Sequence, residues 1–393
     1  MAGGRRQADM TEAQPASTET GNREAALAAL YDDVHSGHMF PFWATTTDVA
    51  HDEIKQLMGS RGAIPHLWRY ESEIGPLLRR SAELVSMADS ERRSLILVNP
   101  GLAPTRATVS TMYSAYRLND PNEVMPPHRH SPNAIRLGLT GSMNFTGVEG
   151  EDIVFGPGDM VLTPQDTWHN HGNKGDEPAV NLSVLDLPLV EVLNAIYFEH
   201  DYKEERDGRQ FVAREQSARF SADYSAEVYG SGGLMPCFVP HGRGSGTGSP
   251  MYVYRWEPMR EMLEAHRDRD GDPHEALMVE YVDPTRGGPV FRTMTFYAQM
   301  LRPGEKTLPL KQTASLLVSP LEGQGHSIVG ETRFDWRPFD TLAVPGGQWC
   351  HHVNDSETAP AILFVASDKP ALAALGHFKK WGRDDSGDTL RLA

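Results

Sequence analysis

The sequence predicts a mainly β protein, two tandem β-barrels behind a helical N-terminal arm. Three observations carry that expectation. From Arg92 onward, short strand-like runs are divided by Gly, Pro, Asn and Asp; before it, apolar residues recur at helical spacing; and the turn pattern of the first half returns in the second.

Residues 1–22 are rich in Gly, Ala, Ser, Thr and Gln and poor in large apolar side chains, so they cannot offset the entropy of ordering and read as a disordered tail. From Arg23, the residues Ala26, Leu27, Leu30 and Tyr31 mark an amphipathic helix that His35-Ser36-Gly37 stops. A second helix is expected over 71–85, with Pro76 in its first turn. Residues 23–91 are therefore read as a helical arm that caps the barrels. Strands are expected at 94–98, 111–118 and from Asn122, punctuated by Asn99-Pro100-Gly101, Asn119-Asp120-Pro121-Asn122 and Gly156-Pro157-Gly158. This first barrel occupies 92–198 and ends in a helix-compatible run at 189–197. Residues 199–250 read as a linker closed by the Gly-rich stretch 241–250, residues 251–382 as the second barrel and 383–393 as a C-terminal tail.

The repeat fixes the relation between the barrels. Gly158, Pro164, Asp166, His169 and Asn173 in the first half are answered by Pro345, Gly347, Cys350 and Asn354 in the second, the spacing from Pro164 onward being the same. Upstream, the nine residues ending in His128-Arg129-His130 align with those ending in Leu310-Lys311-Gln312.

Length and composition bound the function. The 393 residues suffice for two cores, and a formal charge of -16 argues against a nucleic-acid surface. Two cysteines, Cys237 and Cys350, do not make a disulfide framework, which points to a reducing cytoplasm. No stretch approaches the apolar run a membrane helix needs, and Arg5 and Arg6 are followed by no signal-like apolar segment. Neither nucleic acid nor membrane is an expected partner.

The chemistry concentrates in Pro127-His128-Arg129-His130 and in Trp168-His169-Asn170-His171. Side chains two apart on a strand share a face, so His128 and His130 can present two imidazoles to one cation, with His169 supplying a third from a neighbouring strand. Three neutral nitrogens leave one side of a divalent metal open to small reactants. The second copy has Leu310, Gln312 and Cys350 at these positions, and its His351 and His352 read as structural for want of an upstream His pair. One metal per chain is expected, in the first barrel.

These motifs resemble those of the cupin superfamily, with Asp166 in place of a glycine and without the glutamate that many cupins use as a fourth ligand. A three-histidine bicupin, two double-stranded β-helix (jelly-roll) barrels with a helical arm, resembles the gentisate 1,2-dioxygenase family, which includes salicylate 1,2-dioxygenase and 1-hydroxy-2-naphthoate dioxygenase. The resemblance runs from Trp68-Arg69-Tyr70 through 92–100 and the histidine motifs to Trp256, 364–370 and Leu375-Gly376. It implies Fe(II), O₂ as co-substrate, and cleavage of a small aromatic hydroxy acid between its carboxyl-bearing and hydroxyl-bearing carbons. It also implies a homotetramer.

On the same resemblance Arg136 holds the substrate carboxylate, a role its planar fork suits, and His171 donates a hydrogen bond to oxygen in the site. Arg92 or Arg93 anchors substrate, and Tyr113 and Ala115 line the pocket. Where the family commonly reads Trp-Leu-Asp-Gly-Leu-Asp, this chain has Asn181-Leu182-Ser183-Val184-Leu185-Asp186. Ser183 and Asn181 thus replace an acid and an aromatic, which favours a salicylate with nitro, amino or halogen at the 5-position over gentisate. Gentisate and 1-hydroxy-2-naphthoate are the alternative substrates. Other metal-dependent cupins, decarboxylases and isomerases among them, are disfavoured by the single ligand set; thiol dioxygenases are shorter single barrels. A storage or sensing bicupin would be expected to have lost the ligands that this chain keeps.

Overall fold

The computed structural model describes residues 17–38, 62–85 and 93–393. The chain divides into two units, Met1–Ser60 and Arg61–Ala393. In the first, one α-helix spans Ser17–Ser36 and thus starts inside the stretch read as a tail. Alanine is its commonest residue and its described side chains are mostly exposed, so local propensity supports it without a packed face.

In the second unit, a π-helical turn, Tyr70–Ile74, leads into the α-helix Gly75–Leu84, with proline in its first turn as expected. The arm also contributes a strand, His66–Trp68, that the helical reading missed; it pairs antiparallel with residues 341–343 of the second barrel.

Each barrel is two sheets. In the first, one sheet runs Val253–Tyr254, Met160–Thr163, Ala134–Thr140, Ala179–Leu185, Tyr113–Asn119 and Ser94–Ile96; the other runs Phe198–Glu199, Val124–His130, His169–Asn173, Asn144–Val148 and Glu151–Phe155. The second barrel repeats the plan. Its counterparts are His66–Trp68, Thr341–Val344, Leu316–Glu322, Ala361–Ser367, Thr295–Leu301 and Leu277–Glu280, against Thr332–Trp336, Gly325–Val329, Trp349–Asn354, Leu310–Gln312, Lys380–Arg383 and Thr389–Arg391.

Three boundaries differ from the sequence reading. Val253–Tyr254, expected to open the second barrel, completes a sheet of the first. The segment read as a linker contains a hairpin, Lys203–Arg206 with Arg209–Val212, because Asp207 and Gly208 both adopt the positive φ of a tight hairpin turn. The expected C-terminal tail is an edge strand, Thr389–Arg391, paired to Lys380–Arg383.

Alternation along the strands decides what each barrel holds. Val180, Leu182 and Val184 join Ile135, Leu137 and Tyr116 in a core shared with Phe296, Ile362 and Phe364 of the second barrel. The opposite face of the same strands carries Arg117, Arg136, Asn181 and Ser183 into the first barrel. In the second barrel the matching face carries Leu301, Val318, Leu363 and Val365, which form an apolar core of their own. One barrel is therefore polar inside and the other largely apolar.

The duplication extends to single hydrogen bonds. Asp186 accepts from the Asn133 amide and from Thr293 Oγ1 of the other half; Asp368 accepts from the Ser315 amide and from Thr111 Oγ1, again across the halves. The turns match too: Asp166 and Gly347 both have positive φ, as do Asn122 and Gly304. Asp and Asn tolerate the left-handed region better than most residues, which explains how Asp166 stands where related motifs have glycine.

Burial raises the Asp368 carboxyl to about 6. Since the folded pKa lies above the unfolded one, the folded form binds the proton more tightly, and that contribution is present at low pH and lost as pH rises from about 4 through 6. Asp368→Asn is expected to flatten this part of the stability profile, read by urea denaturation across that window. An unchanged slope would exclude Asp368 as its source.

Candidate metal centre and substrate pocket

His128 and His169 are direct partners across antiparallel strands, and His171 faces Thr146 on the other side of its strand. The register shifts between Met125 and His128, where Pro126 and Pro127 cannot donate to the ladder. All four histidines, 128, 130, 169 and 171, are buried. Ring centroids lie 4.3 Å apart for His128 and His169, 4.7 Å for His130 and His169, and 5.8 Å for His128 and His130.

Three of the rings share one anchoring pattern. Nδ1 of His128 bonds the Pro126 carbonyl at 3.1 Å, that of His130 the Pro132 carbonyl at 2.8 Å, and that of His169 the Thr167 carbonyl at 2.8 Å. A carbonyl acceptor holds the proton on Nδ1 and leaves Nε2 as the electron-pair donor. His171 differs, with its Nδ1 3.2 Å from Thr146 Oγ1. Nε2 of His169 and of His171 are buried without a hydrogen-bond partner among the described residues. Among the described residues, ligand nitrogens of His128, His169 and His171 lie within 4.8 Å of one another. The set that can hold a metal thus includes His171, which the sequence reading kept for a separate role. The donor chemistry fits a divalent transition metal.

The electrostatics agree. Burial, then the neighbouring His128, His130 and Arg136, hold His169 well below the usual imidazole range; burial, then Arg136, does the same for His171. Both are neutral near pH 7, the form a metal requires.

The first barrel's six-stranded sheet forms the wall that bears the candidate substrate residues. Ser183 pairs in register with Ala115 on one side and Arg136 on the other, and Asn181 with Arg117 and Gly138. Arg136 donates to Thr163 Oγ1 at 3.1 Å. Ser183 Oγ donates to the Ala115 carbonyl at 3.2 Å, and Asn181 Nδ2 lies 3.4 Å from Asn144 Oδ1. Tyr113 starts the strand whose next inward positions are Ala115 and Arg117.

Arg93 does not reach this wall. Its guanidinium is buried against Asp120, at 2.9 Å, and Glu123, and donates to the Ala82 carbonyl, so it ties the arm to a turn of the first barrel. Arg92 lies outside the described residues. The cation that sequence reasoning missed is Arg117, buried on the pocket face and close enough to depress His171 further. Strand parity could have found it, two positions beyond Ala115.

The chain is similar to known proteins in sequence and in fold. A profile of the cupin domain family matches residues 119–185. The chain is 32% identical over 360 residues to a 5-aminosalicylate 1,2-dioxygenase of Comamonas sp, covering 90% of each chain. It is 31% identical to gentisate 1,2 dioxygenase 1 of Aquipseudomonas alcaligenes, covering 89% of this chain and 95% of that one. A salicylate 1,2-dioxygenase from Pseudaminobacter salicylatoxidans superposes with a TM-score of 0.75 at 27% identity, over 91% of this chain and 97% of that one.

Proposed function

Since this chain belongs to the family of gentisate- and salicylate-type ring-cleaving 1,2-dioxygenases, we propose that it opens a 5-substituted salicylate with Fe(II) held in its first barrel, one ion per chain. The substituents in view are amino, nitro and halogen. The observation that carries this reading is the polar first barrel, where imidazoles with carbonyl-anchored Nδ1 face a wall bearing Arg117 and Arg136. Two cations beside the neutral His169 and His171 suit an anionic aromatic acid.

His128, His130 and His169 are the proposed ligands, on the strength of their shared carbonyl anchoring. Bound there, Fe(II) would supply the redox chemistry that O₂ needs to react with an aromatic ring. The protein supplies the rest. Arg136, braced by Thr163, offers its fork to the carboxylate and fixes which ring carbons face the reacting centre. His171, neutral and packed on Thr146, holds a proton at the imidazole edge for a developing oxygen anion. Burial keeps water from competing.

The preference for a 5-substituent other than hydroxyl rests on Ser183 and Asn181. The Ser183 hydroxyl proton is already given to the Ala115 carbonyl, and Asn181 joins an asparagine cluster, so neither offers the acidic partner a second ring hydroxyl would want. Oxygen uptake by Fe(II)-loaded enzyme with gentisate, salicylate, 1-hydroxy-2-naphthoate and 5-amino-, 5-nitro- and 5-halosalicylates tests this. The highest kcat/KM is expected with one of the 5-substituted salicylates; a clear preference for gentisate would overturn it.

The ligand set has its own test. His130→Ala is expected to lose the metal, whereas His171→Ala keeps it and loses roughly 10- to 100-fold in kcat. Metal content after dialysis decides. The reverse outcome would make His171 the third ligand in place of His130.

A further inference from the structure

The second barrel encloses a cavity of about 120 Å³ at the place where the first barrel keeps its histidines. Leu310, Gln312 and Cys350 line it where the first copy has His128, His130 and His169, and Leu310 pairs with Cys350 in the register that joins His128 to His169. Gln299 stands at the repeat position of Arg117. The side chains at the histidine and arginine repeat positions are therefore neutral in the second barrel, while Glu275, Lys369 and Lys380 also line the cavity.

Two polar groups in the lining have defined hydrogen-bonding roles. Trp336 Nε1 donates to Ser327 Oγ at 3.0 Å, and the same Oγ lies 2.7 Å from His352 Nδ1. In the tautomer in which Ser327 donates to Nδ1, the imidazole proton is on Nε2, whose one partner among the described residues is the Cys350 sulfur at 3.9 Å. Gln299 is spent on one side only: Nε2 donates to the Glu275 carbonyl at 2.9 Å, whereas Oε1 is buried with no hydrogen-bond partner among the described residues. An orphaned acceptor of this kind carries a desolvation cost that a ligand donating to it would recover. Burial pushes the Cys350 thiol up to about 12 and His352 down to about 4, so both are uncharged at neutral pH. Leu310, Val344 and Val365 complete an apolar wall; Lys380 is neutralised by Glu275 at 2.5 Å, and the Lys369 ammonium lies over the Phe378 ring, 5.3 Å from its centroid.

We propose that this cavity is a second ligand site, which binds an uncharged, hydroxyl-bearing molecule the size of a single ring, a phenol in chemical class. The hydroxyl donates to Gln299 Oε1 and accepts from His352 Nε2, and the ring lies against the aliphatic wall. The volume is on the scale of the ~150 Å³ apolar cavities that accept benzene. Metal binding is not the use of this site, because Leu310 and Gln312 offer no ligand of the kind the first barrel has.

The proposal is independent of what the first barrel turns over. Phenol itself is the probe, titrated calorimetrically into the full-length protein and into three variants. One phenol per chain is expected in the second barrel, retained in His169→Ala, weakened roughly tenfold in Gln299→Leu, and abolished in Ala314→Phe, which fills the cavity. Ring cleavage by the first barrel should be unchanged in Gln299→Leu. Absence of saturable binding in the parent protein, an affinity unaltered by Gln299→Leu, or loss of this binding in His169→Ala would each overturn the site. If Ala314→Phe does not fold, Gln299→Leu and a phenol-soaked crystal decide: density between Gln299 and His352 supports the proposal, and its absence there refutes it.

Discussion

His169→Ala is expected to release the metal and to lower kcat/KM by at least about a thousandfold, equivalent to about 4 kcal/mol of transition-state stabilisation. The size follows from position. His169 is fully buried between His128 and His130, its Nδ1 is pinned by the Thr167 carbonyl, and its Nε2 has no other partner among the described residues. Removing it takes away a ligand that belongs to every arrangement of the cluster, whether His130 or His171 completes the set. The fold should survive, because the shared core and the second barrel do not depend on this ring. Metal analysis alongside oxygen uptake checks the prediction: a variant that kept its metal and its rate would remove the first barrel from the chemistry.

Arg136→Ala is expected to cost about 10²- to 10³-fold in kcat/KM, and Arg136→Lys to restore little of it. A lysine keeps the charge and loses the planar fork that matches a carboxylate. The position is set by the sheet, between Ser183 and Val161, and the side chain is steadied by Thr163. Steady-state kinetics with the preferred salicylate and with the corresponding phenol lacking the carboxylate distinguish the roles. If Arg136 holds the carboxylate, its loss should matter far less for the phenol. Equal losses on both would assign Arg136 to the architecture of the site.

Much of the fold was legible because the signals are local. Turn residues announce the strands, and the return of Pro, Gly and Asn at matching spacing announces the duplication, since those backbone bends need those residues whatever else the barrel has lost. The hairpin at Asp207-Gly208 carried an equally local signal that the charged composition around it obscured. The exchanges were not legible. His66–Trp68 completing the second barrel, Val253–Tyr254 completing the first, and Thr389–Arg391 extending a sheet edge depend on neighbours distant in the chain, which no local pattern reports.

The site divides in the same way. His128, His130, His169, His171 and Arg136 could be named from spacing and resemblance, because strand parity and motif position are properties of sequence. Arg93 could not be separated from the pocket until its ion pairs with Asp120 and Glu123 were seen, and Arg117 emerged only as a buried cation beside His171. The sequence by itself determined the duplicated β architecture, the histidine cluster and the loss of its ligands in the second copy, since each is written in residue identity and spacing. Only the tertiary structure decided which side chains share the first barrel's interior, how the two halves trade strands, and that the second barrel keeps a hollow with an unspent acceptor, because burial and pairing arise from residues far apart in the chain.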